Sequence, residues 1–487
     1  MPRLRQRLRL VLARLGQRLG QPDVLDAAVL VLTFLGAWLV ALHQGGAQAA
    51  GLALGARLIL AALGLHAAVA AARADHGYRV LRGAWILLPF LGWLAVDAAL
   101  LAPDRGAALE AWTIAALGGA AIWMTLCHAR RTFSQAIALL LVVGPASLMA
   151  SGAYDDEGGQ VRALLGLAPD PAYSPHFSSA FGSPGACAAV MLIALLPALA
   201  AALNPRLRVW LRAVCAYLAL LLAVGLHQTH HGWAWVGFAA GAALAGHALR
   251  RKAGWSWADL RVAAAVGLAF AWLDGRFANL GVLREAAGAG GTPLASATWQ
   301  AILAHPLAGG GHGSFILSFE TVRPHGWQTD PSGPGSLLLQ LVAEHGLVGL
   351  LLAAVPVAAV LAAAARASLE RPPEGRPEGP SAYQRTQLRR TMLAGGVAGV
   401  GAALWTLCFD HAGGQPGVVL LVLLSLAVVH RAAGTAEESR REWPARGRLA
   451  LGVGAVARAG GAMTTGAAHL IQPLAARHRR RVAVQTP

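Results

Sequence analysis

Apolar blocks of membrane-spanning length recur along nearly the whole chain, and no other feature constrains its fold as strongly. Most are about 17 to 25 residues long, the length of a helix that crosses the hydrocarbon core of a bilayer. Only 13% of the 487 residues are charged and 56% are hydrophobic, whereas a soluble protein of this size carries more charge. The sequence predicts an all-α integral membrane protein with about 12 transmembrane helices, over roughly 27–43, 52–72, 83–102, 111–127, 136–153, 184–203, 213–228, 232–248, 262–273, 336–360, 391–409 and 416–430.

The distribution of positive charge predicts how these helices are oriented. With a cytoplasmic N-terminus, 34 of the 40 basic residues fall in cytoplasmic segments and six do not. Cytoplasmic loops of membrane proteins carry such an excess of Lys and Arg, so we expect both termini inside. The net charge of +17 is explained in the same way, because the basic residues set the topology and face membrane lipid. We therefore expect no nucleic-acid partner.

The predicted topology divides the chain into three parts. A basic cytoplasmic segment, 1–26, precedes a polytopic membrane domain, 27–430, and a cytoplasmic tail, 431–487, follows it. Two extracytoplasmic segments are long, namely 154–183 and 274–335, and the second lies between the ninth and tenth helices. Because long irregular segments among tight turns often carry function, we expect the site in this second loop.

Two segments around that loop carry a motif with regular spacing. Residues 299–315 read WQAILAHPLAGGGHGSF, and residues 339–349 read LQLVAEHGLVG. Order, spacing and topological side resemble the signature region of the O-antigen ligase and polymerase superfamily. Weaker resemblances lie at 181–197 and 229–238. The matching positions are Trp299, Ala301, Pro306, Gly309, Gly311, Gly313, Phe315, Leu339, Gln340, Glu344, Gly346 and Gly349.

The resemblance implies a transferase of the bacterial inner (plasma) membrane. Members of this superfamily move a glycan from an undecaprenyl pyrophosphate carrier to an acceptor hydroxyl on a lipid or glycan, in cell-envelope polysaccharide biosynthesis. Gly335 and Ser336 stand where the family usually has His-Asn, and His230 and His231 stand where it has Ser-Arg. A catalytically degenerate paralogue and a polymerase therefore stay open as alternatives. A secondary transporter is less favoured, because the spans carry few charges.

Transfer from a pyrophosphate carrier indicates which side chains to look for. Arginine suits the leaving pyrophosphate, and a base of near-neutral pKa suits the acceptor hydroxyl. An ionisable group within a span, such as Glu344, is costly and therefore a functional candidate. His312 ranks second as the base. The predicted catalytic residues are His325 and Glu344, and the predicted substrate-binding residues are Arg276, Arg284, Arg323, His230 and His231.

Structural explanations compete with several of these assignments. Arg276 follows a short apolar span and could extend to the membrane interface, while His230 and His231 could cap a turn. The glycine run 309–313 could let backbone approach a phosphate, but we expect no helix to begin directly after it. No CxxC pair, carboxylate pair or HExxH spacing occurs, so we expect neither a metal nor a cofactor.

Overall fold

The computed structural model describes residues 22–44, 79–81, 88–129, 132–155, 183–229, 231–250, 293–322, 336–369, 380–409, 416–434 and 438–440. Two three-residue strands in these ranges, β1 (Arg79–Leu81) and β2 (Glu438–Arg440), pair antiparallel. The other regular elements are helical: α1 (Pro22–Gln44), α2 (Leu88–Val96), α3 (Arg105–His128), α4 (Thr132–Asp155), α5 (Pro184–Leu203), α6 (Val209–Gln228), α7 (Gly232–Arg250), α8 (Pro293–Ala304), α9 (Ser314–Val322), α10 (Leu337–Leu369), α11 (Pro380–Cys408) and α12 (Pro416–Ala433).

Several of these helices have the length and composition of membrane spans. Shorter apolar helices cover Asp26–Leu42, Leu88–Leu101 and Gly417–Ala433. The prediction of an all-α membrane protein is thereby confirmed, while the count of twelve spans stays a prediction. The predicted spans 52–72 and 262–273 lie outside the described residues. Among those residues, six segments qualify as spans: Ala111–His128, Thr132–Ser151, Pro184–Leu203, Val209–Gln228, Leu337–Leu369 and Tyr383–Cys408.

The most buried part of the described structure is the contact between α5 and α11. Ser183 caps α5 by accepting a hydrogen bond from the backbone N–H of Ala186, and Pro184 occupies the first turn, where its missing N–H costs nothing. Nearly all of α5 is buried between α6, α7 and α11. Glycines of α11 allow this close approach, since a Cβ at Gly399 would lie 3.0 Å from the Leu192 carbonyl oxygen.

Two predicted membrane spans differ from continuous helices. In the described part of the span predicted at 83–102, a nine-residue helix, α2, ends in a π-helical turn at Asp97–Leu101. The tenth span forms α10, but Gly346 inside it has φ 69° and ψ −176°, which breaks the helix. Both irregularities occur beside ionisable residues, and the structure brings them together at one site.

The predicted loop 274–335 is not irregular throughout. Its described part contains α8 and α9, whose contact buries Ala297, Phe315 and Phe319. Our expectation that no helix follows the glycine run was also wrong, because α9 begins directly after Gly313. The cause is the apolar spacing of Phe315 and Phe319, which gives this short segment one buried face against α8.

Candidate functional site

A glycine-rich loop between α8 and α9 docks into the break in α10. We call residues 305–313 the glycine loop. Breaking a helix frees carbonyl and N–H groups that water cannot satisfy inside a membrane protein. Here the N–H groups of Gly310 and Gly311 donate to the carbonyls of Ala343 and Glu344, at 3.1 and 2.9 Å. The loop therefore replaces the hydrogen bonds that α10 loses at its break.

The exchange runs in the other direction as well. Beyond the break, the N–H groups of Leu347 and Val348 donate to the carbonyls of Pro306 and Leu307, at 3.0 and 3.1 Å. The indole N–H of Trp93, on α2, donates to the carbonyl of His345 at 3.2 Å. These backbone hydrogen bonds join the glycine loop to both halves of α10.

Glycine is required at two facing positions of this junction. Gly309 and Gly346 have φ of 77° and 69°, in the left-handed region that other residues rarely adopt. A Cβ on Gly309 would collide with the Glu344 carbonyl, and one on Gly346 would collide with the Leu307 carbonyl. The glycines of the resembling motif thus have a structural purpose, which is to let two chain segments meet backbone to backbone.

The junction gathers four titratable side chains from three segments. Nδ1 of His312 lies 3.2 Å from Oε2 of Glu344, and Nδ1 of His345 lies 3.0 Å from Oδ2 of Asp97. The backbone N–H of His312 also donates to Oδ2 of Asp97 at 3.2 Å. The imidazole rings of His312 and His345 are nearly parallel, with centroids 6.3 Å apart. We call Asp97, His312, Glu344 and His345 the His–carboxylate cluster.

Burial differs among the members of the cluster. Asp97, Glu344 and His345 are buried, with exposures of 1%, 5% and 8%, whereas about a third of the His312 side chain is exposed, at 34%. The three buried groups cannot rely on water for compensation. His312 therefore connects a buried charge network to the accessible surface.

Glu344 also changes the proton affinity of His312. Its hydrogen bond to the imidazole, together with its negative charge and that of Asp97, raises the pKa of His312 above the ordinary histidine value, although burial opposes the rise. An imidazole with such a partner is held in one orientation and made more basic. The pair has the composition of a general base and the group that positions it.

Of the predicted site residues that it describes, the structure brings one into the cluster. Glu344 lies at the centre of the cluster, at the break of α10 rather than in a regular span as predicted. His231 lies elsewhere, just before α7, which packs against α5 and α11. Arg276, Arg284, Arg323, His325 and His230 lie outside the described residues, so their assignments stay predictions.

Sequence reasoning missed part of the cluster. His345 was not selected, although it follows Glu344 directly and precedes the motif glycine Gly346. Asp97 was not selected either, although a carboxylate within a predicted span was an available signal. Ser336, where the resembling family has a polar pair, has a structural role, because its hydroxyl donates to the Cys408 carbonyl at 2.6 Å at the start of α10.

The chain matches no protein-family model and no curated protein.

Proposed function

We propose that this chain is a glycan transferase of the bacterial inner membrane, acting on an undecaprenyl pyrophosphate-linked glycan. The observation that carries the proposal is the His312–Glu344 pair, held at the junction of the two motif segments. His312 takes the proton of the acceptor hydroxyl as the hydroxyl oxygen attacks the sugar carbon and the pyrophosphate leaves. Glu344 positions the imidazole and stabilises its protonated form.

This proposal changes the preferred base from His325 to His312. The sequence favoured His325 because an arginine lies two residues before it. His312 has a buried carboxylate partner and an exposed edge, the two properties that a general base for an external acceptor requires. His325 stays as the alternative base.

Site-directed variants of the pair test the assignment. Purified protein is supplied with a lipid-linked glycan and an acceptor, and we expect His312→Asn to lower the transfer rate by roughly 10²–10⁴-fold, the usual share of a general base. Glu344→Gln should lower the rate less, since the base itself is retained. His305→Asn is the matched control, because His305 is exposed on the same loop. If His312→Asn transfers glycan at the wild-type rate, the role of general base would pass to His325.

The carrier is proposed to be held by arginines of the extracytoplasmic loop. We expect Arg284→Ala and Arg323→Ala each to weaken binding of the lipid-linked glycan, while arginine-to-lysine changes restore it only in part. The reason is that a guanidinium grips a phosphate with two donors, and an ammonium does not. Unchanged carrier binding by both alanine variants would reject these two residues and leave Arg276, His230 and His231 as the remaining predicted contacts.

The proposal requires twelve spans with both termini inside. Topology reporters fused at Gly158 and Gly290 should then report the outside, and a reporter at Gly375 the inside. The 34 to 6 partition of basic residues supports this arrangement. A cytoplasmic signal from Gly290 would exclude transfer on the outer face.

Polysaccharide analysis of a deletion strain distinguishes the related functions. Loss of polymer from the lipid core indicates a ligase, and short chains on the core indicate a polymerase. An unchanged profile indicates an inactive paralogue or a transporter.

Proton-coupled transport is a second candidate, favoured by one observation. A broken apolar helix beside two buried carboxylates and a buried histidine has the composition of a proton pathway through a membrane. Proton flux into proteoliposomes, abolished by Asp97→Asn, would support it. Absence of flux together with glycan transfer would reject it.

A further inference from the structure

We propose that the His–carboxylate cluster binds a divalent transition-metal ion such as Zn²⁺, with His312, Glu344 and His345 as ligands and Asp97 as their charged neighbour. One potential ligand atom from each of the three ligand residues lies within 4.8 Å of the others. The proposal rests on the geometry and charge of the cluster, and it adds a regulator to the function proposed above.

Unpartnered buried atoms give a second and independent indication of a ligand. Asp97 is only 1% exposed, and its Oδ1 atom has no hydrogen-bond partner among the described residues. Nδ1 of His345, likewise buried, lies 3.0 Å from Oδ2 of Asp97 but makes no hydrogen bond of acceptable geometry within those residues. A buried carboxylate with a free oxygen is costly unless a cation compensates it.

The charges of the cluster match those of one divalent ion. Asp97 and Glu344 together supply two negative charges when ionised, and no arginine or lysine forms an ion pair with them in the described part of the chain. A single divalent cation with two neutral imidazoles makes the cluster neutral. Two protons on the histidines would do the same, so the metal and the protons compete for one site.

The donor set selects a class of metal. Two imidazole nitrogens and one carboxylate oxygen suit Zn²⁺ and its neighbours in the first transition series, whereas Mg²⁺ and Ca²⁺ prefer oxygen donors. Ligands at about 2.1 Å around a tetrahedral ion are separated by roughly 3.4 Å. The longest separation here must therefore close by up to about 1.4 Å when the ion binds.

Asp97 is placed to position one of the ligands. A carboxylate facing one ring nitrogen of a metal-bound histidine fixes the tautomer and leaves the other nitrogen for the ion. Oδ2 of Asp97 lies 3.0 Å from Nδ1 of His345, so a rotation of the ring that aligns the two atoms would establish this relation. The assignment leaves a fourth coordination position for water or for an oxygen of a substrate.

Metal binding has a defined consequence for the proposed transferase. A nitrogen lone pair that coordinates a metal cannot accept a proton, and Glu344 can no longer position His312 as a base. Zn²⁺ should therefore inhibit transfer, and a chelator should restore it. This consequence, unlike the binding itself, depends on the proposed function.

Direct metal binding tests the proposal without reference to activity. Full-length protein, purified in detergent through a tag without histidine, is stripped with a chelator and titrated with Co²⁺, then with Zn²⁺. We expect the visible absorption of Co²⁺ bound to nitrogen and oxygen, saturating at one ion per chain and displaced by Zn²⁺. Absence of saturable binding to folded wild-type protein would overturn the proposal.

Variants separate this site from adventitious surface sites. His312→Ala and Glu344→Gln should each abolish the Co²⁺ signal, and Asp97→Asn should weaken binding by about 10–100-fold, as loss of a supporting carboxylate does. His305→Ala, on the same loop, should bind like wild type. Equal Co²⁺ binding by wild type, His312→Ala and Glu344→Gln would contradict the site. This test does not need a variant of the buried His345.

The two proposals fail in different ways. If the protein binds Co²⁺ through these residues but transfers no glycan, the proposed metal site stands and the proposed transferase function is rejected. If the stripped protein transfers glycan and binds no metal, the proposed transferase function stands and the proposed metal site is rejected.

Discussion

The α5–α11 interface and the junction between the glycine loop and α10 both depend on glycine, for different physical reasons. In α11, Gly395 and Gly399 stay helical and supply only space, so that α5 can approach. At the junction, Gly309 and Gly346 supply both space and a left-handed backbone. The absence of a Cβ is therefore enough at the first contact, whereas the second also requires a residue that tolerates a positive φ.

The two regions also differ in what their polar groups do. The helices of the α5–α11 interface are unbroken, and their contact is mainly apolar packing, with one hydrogen bond from the side-chain amide of Asn204 to Oγ1 of Thr391 at 2.9 Å. At the junction the helix is broken, and its free backbone groups bond to another segment. Beside the break, His345 faces Asp97 and Glu344 faces His312. Irregular backbone and ionisable side chains thus occur at one place, as they do at functional sites.

The largest effect is expected from Gly346→Ala. The substitution forces a Cβ into the Leu307 carbonyl and holds alanine at φ 69°. We expect the free energy of unfolding to fall by about 2–5 kcal/mol, from left-handed strain and overpacking together. Thermal unfolding in detergent measures the loss. Gly313→Ala is the control: φ is 80° there but no atom lies within 4 Å of the added Cβ, so it should cost only about 1–2 kcal/mol.

A smaller effect is expected at the apolar interface. In Gly395→Ala the new Cβ would lie 2.5 Å from Cα of Pro197, and overpacking of this kind costs about 1–3 kcal/mol. Gly401→Ala, on the same helix, has no atom within 4 Å of the new Cβ and should stabilise by up to about 1 kcal/mol through helix propensity. Equal stability of the two variants in the same thermal assay would refute the close packing of α5 on α11.

Trp93→Phe tests one hydrogen bond of the junction. The change removes the indole N–H that donates to the His345 carbonyl and keeps an aromatic ring. A cost of about 1 kcal/mol is expected, the usual net contribution of such a bond. Trp112→Phe is a comparison outside the junction, because its indole donates to the Leu91 carbonyl at 3.2 Å. If only Trp93→Phe weakens Co²⁺ binding, α2 helps to hold the cluster in place.

The smallest effect is the dependence of stability on pH, because water screens the partly exposed His312. The folded protein raises the pKa of His312 through Glu344, with a further contribution from Asp97. The stabilisation is therefore full below the unfolded value of 6.5 and is lost as the pH rises through the folded pKa. Thermal unfolding in chelator should show wild type exceeding Glu344→Gln by more at about pH 6 than at about pH 9.

A double-mutant cycle separates His312 from its neighbour His345, which belongs to the same cluster. In a His312→Asn background, the higher thermal stability that Glu344 gives over Gln at acid pH should disappear. An advantage that persists would assign the pH dependence to His345 and Asp97 instead.

The sequence by itself determined the membrane class of this protein. Bilayer thickness fixes the length of an apolar helix, so blocks of the right length identify helices before any contact is known. Described helices coincide with the predicted spans except 52–72, 262–273 and the first residues, 83–87, of a third span, all of which lie outside the described residues. Glu344 was also identified from the sequence, because an ionisable group is costly in a membrane span, and the glycines were identified by the resembling motif.

Only the tertiary structure decided what those unusual residues do. Hydrophobic periodicity does not reveal a break at Gly346, since apolar residues continue on both sides of it. The break exists because the glycine loop, more than thirty residues away in sequence, supplies the hydrogen bonds that α10 gives up. Asp97 is about 250 residues from His345, and such distant partners have no local signature. Local physics thus placed the helices, and non-local backbone pairing assembled the His–carboxylate cluster.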